Sequence, residues 1–69
     1  MKISDQIRVL CARLHISVAE LSRRIGCSPQ SFSGKMRRES FRVTDLEKIA
    51  EVTGTSFLVK FVFPDGEKI

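Results

Sequence analysis

The stretch SVAELSRRIGCSPQSFSGKMRR, residues 17–38, carries two helix starts and one helix stop in close succession. Ser17 and Glu20 stand three residues apart, as a capping box requires, and Ile16 and Leu21 are spaced to close a hydrophobic staple across it. Gly26 can take the left-handed conformation that ends a helix. Ser28 then caps a second helix whose first residue, Pro29, needs no amide partner. With only Cys27 left as a linker, the two helices must cross steeply, and the second is held proud of the body with one side exposed.

The flanking segments supply a scaffold. Ile3, Ile7, Leu10, Cys11 and Leu14 recur at steps of three and four, which predicts an amphipathic helix capped at Ser4 and ending near His15, where an imidazole can meet terminal carbonyls. A further helix is predicted from a second capping box, Thr44 to Glu47, burying Leu46, Ile49 and Ala50 and ending at Gly54, with Phe41 and Val43 anchoring the loop before it. The expected core is Ile7, Leu10, Leu14, Leu21, Ile25, Phe32, Met36, Leu46 and Ile49. A chain of 69 residues supports one such core, so the reading is a mainly α, four-helix domain over 1–54 followed by a separate segment, 55–69.

Several function classes are disfavoured. Cys11 and Cys27 have no CxxC spacing and His15 is the only histidine, so neither a zinc site nor any other metal or cofactor is expected. Cys11 falls on the apolar stripe of its helix and reads as a small core residue, and Cys27 takes the turn position that points inward. No nucleophile sits beside a base, no glycine loop suits a phosphate, and no carboxylates pair outside capping roles; an enzyme is not expected. Met1-Lys2-Ile3 runs straight into polar residues rather than an apolar signal, and the longest apolar run, Phe57 to Phe63, is too short to span a bilayer, so a cytoplasmic location without membrane contact is expected.

Charge points to a partner. Residues 23–42 hold six basic groups (Arg23, Arg24, Lys35, Arg37, Arg38, Arg42) against Glu39 alone, while the remainder holds six basic and seven acidic groups. The whole excess of +4 therefore comes from one segment, and a local positive field on and beside an exposed helix suits a polyphosphate backbone. Once Phe32 and Met36 point inward, Gln30, Ser31, Ser33, Gly34 and Arg37 are left to read bases in the major groove. Gln30 leads, because its carboxamide can both donate to and accept from adenine and lies in the first turn. Gly34 would let the backbone approach DNA closely. Ser28, Lys35, Arg38 and Arg42 are the expected phosphate contacts, with Arg23 and Arg24 set back on the supporting helix.

These residues resemble the Cro/repressor family of helix-turn-helix proteins, the Xre-like group of phage and bacterial regulators. The resemblance covers about residues 4–54 and rests on the Ser17 box, Leu21, Ser22, Ile25, Gly26, Ser28-Pro29-Gln30, Phe32 and Met36. It implies a lambda-repressor-like four-helix fold and a double-stranded DNA partner. Two positions depart from the pattern. Val18 stands where relatives often carry a glutamine that touches a phosphate and braces the reading helix, and Pro29 stands where many carry a DNA-contacting side chain, so that reading begins at Gln30.

The segment TSFLVKFVFPDGEKI is aromatic and β-branched and contains a Pro64-Asp65-Gly66 turn, so a C-terminal β-strand or short hairpin is predicted. Phe57, Val59, Phe61 and Phe63 would share one face, and Leu58 and Val62 flank Lys60 on the other. Such an edge is a liability unless covered, and pairing with a second copy covers it; Phe57, Leu58, Val59, Phe61, Val62 and Phe63 are the expected homodimer interface, which the resemblance to Cro-like proteins also implies. The expected function is a homodimeric, sequence-specific transcriptional regulator, a repressor in the absence of a second sensing domain, reading a palindromic operator. The alternative is an antitoxin-like or adaptor module that holds a partner protein.

Overall fold

The computed structural model describes all 69 residues, Met1–Ile69, as four helices: α1 (Ile3–Leu14), α2 (Val18–Arg24), α3 (Pro29–Arg38) and α4 (Val43–Thr53). The starts of α2 and α3 follow from their serines, since Ser17 Oγ accepts the Glu20 amide at 3.0 Å and Ser28 Oγ accepts the Ser31 amide at 3.2 Å. The Ser17 box closes on one side only. Glu20 turns its carboxylate to Arg24 and Arg23, at 3.1 and 3.5 Å, instead of reaching back to the cap.

The other two starts differ from expectation because their acceptors come from elsewhere. Helix α1 begins at Ile3, and Ser4 is not its cap but a buried residue of its first turn, whose amide donates to Glu39 Oε1 at 3.1 Å, from the end of α3. Helix α4 begins at Val43, one residue before the predicted Thr44 cap. Its cap is Arg42, whose side chain makes no capping bond; Asp45 Oδ2 instead accepts the Arg42 amide at 2.9 Å. Asp45 Oδ2 also holds Lys35 Nζ at 3.0 Å, so the carboxylate that caps α4 ties it to α3 as well.

All four helices stop in the same way, with a left-handed residue just beyond the helix and a backbone bond spanning five residues back. Ile16 donates to Cys11, Cys27 to Ser22, Ser40 to Lys35 and Thr55 to Ala50, at 2.9–3.1 Å. Glycine fills the left-handed position at Gly26 and Gly54, while His15 (φ 57°) and Glu39 (φ 53°) hold it without that freedom. Helix α2 therefore ends at Arg24, and Ile25 and Gly26 join Cys27 in a longer turn than the predicted single linker residue. At His15 it is the backbone amide, not the imidazole, that meets a terminal carbonyl, that of Ala12.

Helices α1, α2 and α3 pack around Ile7, Cys11, Leu21, Phe32 and Met36, with Ile49 contributed by α4. Ser22 is fully buried and satisfies its hydroxyl on the Ala19 carbonyl, at 2.6 Å. Phe41 meets Phe32 edge-on, with ring centroids 5.7 Å apart. Leu10, Ile25, Leu46 and Cys27 pack only partly against this core. Leu14 does not join it, being 37% exposed where the chain turns away at His15, and Cys11 takes the inward position. Val43 is likewise exposed, leaving Phe41 as the loop anchor. Burial pushes the Cys11 thiol up.

No strand forms at the C-terminus. The chain turns at Pro64–Gly66, Phe61 and Ile69 exchange two backbone hydrogen bonds, and Val62 and Lys68 make one isolated antiparallel bridge. Three residues beyond a turn are too few to build a ladder, and nothing else in the chain lies alongside. The radius of gyration, 13.2 Å, exceeds the roughly 11 Å of a compact chain this long, in keeping with the tail's near-complete exposure. Phe57 differs from the rest of the predicted interface: it is half-buried and lines an apolar groove of about 220 Å³ with Ile3, Leu10, Leu46 and Ile49. No helix is long and apolar enough to cross a membrane.

Candidate nucleic-acid interface

Helix α3 is pinned by its two inward residues, Phe32 and Met36, and that fixes what the opposite side presents. Pro29, Gln30, Ser33 and Arg37 line one open groove along it, at the three- and four-residue steps that share a helix face. Ser31 is exposed on the flank beside its cap, Ser28. Three polar groups with different hydrogen-bonding characters, an amide, a hydroxyl and a guanidinium, thus stand in a row with no competing acid among them.

Two of the predicted residues sit otherwise than expected. Gly34 is not an open stretch of backbone: it is buried beneath the Arg38 side chain, and a Cβ there would lie 3.0 Å from Arg38 Nη1 and 3.1 Å from Nη2. The notch that glycine leaves in α3 seats a guanidinium. Lys35 is not a free cation either, because its ammonium is held by Asp45 in a pair whose side chains are only 32% and 23% exposed. Asp45 is kept below the ordinary carboxylate range first by the Arg42 amide and then by Lys35. The pair therefore stays charged and braces α3 against α4.

The remaining cations divide cleanly. Arg23 and Arg24 share Glu20, whose carboxyl is lowered chiefly by its hydrogen bond from Arg24. Arg37, Arg38 and Arg42 make no ion pair and stay available, the first two in the last turn of α3, where the helix dipole favours them.

The exposed side of α3 thus carries, or lies beside, three arginines without ion pairs. The family profile for the Cro/C1-type helix-turn-helix DNA-binding domain matches residues 6–57. The chain belongs to this family. The match takes in both α2 and α3, the two helices of the helix-turn-helix, and ends where the projecting tail begins. No match was found among curated proteins or among solved structures.

Three residues that shape this helix-turn-helix surface escaped the sequence reading. Asp45 lies three residues after Arg42, the spacing of half a capping box, but an arginine in the cap position gives no signal. Glu39 caps a helix 35 residues away and has no local signature. Arg8, on α1, lines a second groove on the flank of α3 together with Val18, Ser33, Met36 and Arg37, and only the packing of three helices brings it there.

Proposed function

We propose that the protein is a homodimeric, sequence-specific transcriptional regulator acting as a repressor at a two-fold symmetric operator. The observation that carries this reading is the uncovered face of α3, where Gln30, Ser33 and Arg37 stand in line within a helix-turn-helix. Inserted in the major groove, this face puts Gln30 nearest the base edges, with Ser31 at its side, and Arg37 a further two turns along. Ser28, Arg38 and Arg42 then lie against the flanking phosphates; Lys35 contributes a weaker field because Asp45 already neutralises it. A dimer covering two successive grooves excludes other proteins from that DNA, and repression by occlusion is the simplest consequence.

The dimer reading is supported by where apolar surface is exposed. Leu58, Val59, Phe61, Val62, Phe63 and Ile69 are all largely open to solvent, and they fall together on the tail. Two tails paired across a two-fold axis supply each other with the strand partner that neither chain supplies alone.

Selection of bound duplexes from a random DNA pool at near-physiological salt tests the proposal. The expected product is one enriched motif with two-fold symmetry and half-sites about 34 Å apart, one helical turn. Recovery of unrelated sequences would overturn sequence-specific reading. It would favour an adaptor or antitoxin-like module that uses the same apolar tail to hold a partner protein.

A further inference from the structure

The groove between α1, the start of α2 and α3 is lined by Arg8, Val18, Ser33, Met36 and Arg37. Its lining carries two guanidiniums from two different helices, one hydroxyl, an apolar floor, and no carboxylate. Arg37 makes no ion pair, and Arg8 pairs with Asp5 alone, one turn earlier on its own helix, at 3.3 Å with both side chains at least half exposed, while Glu39 lies near enough to feel its charge. An exposed pair of that kind binds weakly and leaves Arg8 free to turn to a stronger anion.

The position of the groove selects the ligand. Ser33 and Arg37 line both this groove and the open face that carries Gln30, so the two run side by side along α3. A helix about 10–12 Å across fills a major groove about 12 Å wide. With the Gln30 face turned to the base edges, one bordering phosphate row must fall on the flank toward α1. A phosphodiester matches the lining there, with anionic oxygens for the guanidiniums and the Ser33 hydroxyl, and sugar carbons for Val18 and Met36.

We propose that Arg8 of α1 is a phosphodiester-binding residue that, with Ser33 and Arg37, clamps one DNA strand along this flank of α3. The inference rests on the DNA-binding reading above. It adds a contact from outside the helix-turn-helix, at a place where the Val18 side chain offers no hydrogen-bonding group.

Duplex affinity measured against salt concentration tests it, with wild type, Arg8→Gln, Arg8→Lys and Arg13→Gln compared on a random-sequence duplex and on a selected one. Removing one phosphate contact should lower the slope of log affinity against log salt by about 0.9. Between 50 and 200 mM salt, Arg8→Gln should therefore lose about 3.5-fold less affinity than wild type. It should bind more weakly than wild type on both duplexes, while Arg8→Lys keeps most of the slope. Arg13→Gln makes the same charge change on the same helix but away from the groove, and should keep the wild-type slope. Circular dichroism of each variant checks that the fold is intact. An unchanged slope in Arg8→Gln, or an equal fall in Arg13→Gln, overturns the assignment while wild-type binding still stands. Failure of the wild type to bind any duplex removes the DNA-binding reading and the Arg8 site together.

Discussion

Gly34 gives up helix stability and leaves a notch that the Arg38 guanidinium fills. Glycine inside a helix costs about 1 kcal/mol relative to alanine, yet here its missing Cβ leaves room for the Arg38 guanidinium. In Gly34→Ala the arginine, being the free end of a flexible side chain, should swing away. The variant should melt roughly 4–8 °C higher, as about 1 kcal/mol does in a domain this small, and should bind every duplex less tightly. If affinity is unchanged, the seat has no role in binding. Gln30 stands apart from this, since its exposed amide touches no neighbour that it stabilises. Gln30→Ala should relax the preference at one base pair per half-site by about 1–3 kcal/mol, whereas Arg38→Ala should weaken all sequences alike, as competition between variant sites would reveal.

Among the elements, the helix ends carry information that helix periodicity does not. His15 and Glu39 both hold left-handed conformations that cost a non-glycine residue about 1 kcal/mol or more. They differ in what their side chains do. His15 is exposed and makes no side-chain hydrogen bond, so His15→Gly should raise the melting temperature by several degrees. Glu39→Gly gains the same backbone relief but loses the cap on α1, and should gain less or fall. Comparing the two melting curves isolates the cap. Acid provides a second view of it: the Ser4 hydroxyl first, then the Ser4 amide, with Lys2 and Arg8 adding their charge, hold Glu39 below its ordinary value of 4.5. A carboxyl lowered by folding contributes stability above that ordinary value and loses it as pH falls through the lowered one. Stability should therefore decline on acidification below about pH 4.5, and more shallowly in Glu39→Gln; parallel curves would mean that the cap contributes nothing.

For the molecule as a whole, the unresolved demand is the tail, with Phe61 74% and Leu58 73% exposed. A second copy is the partner proposed above, and it would cover both faces by symmetry. Phe61→Asp places a charge within that contact and should give monomers by sedimentation, with folded helices and with operator affinity reduced by orders of magnitude as the linkage between half-sites is lost. A variant that remains dimeric would move the interface elsewhere. The groove lined by Phe57, Leu10 and Leu46 is a second apolar feature of the surface, and it is already closed on one side by Phe57 itself.

The helix-turn-helix was legible in the chain because its signals are local. Ser17, Ser28, Pro29, Gly26 and Gly54 act on backbone groups within a few residues of themselves, and the spacing of Leu21, Phe32, Met36 and Ile49 states which faces turn inward. Together with the apolar stripe of α1 they gave four helices and the exposed side of α3, and a count of charges gave the basic character of its surroundings. Tertiary structure decided whatever depended on atoms far apart in sequence. It capped the start of α1 with Glu39, withdrew Lys35 into an ion pair, left Leu14 outside the core, and brought Arg8 beside Arg37. A cap or a periodic stripe is satisfied by neighbours a turn away, so composition and spacing reveal it; a charge chooses among all partners within a few ångströms, and only the folded chain determines which those are.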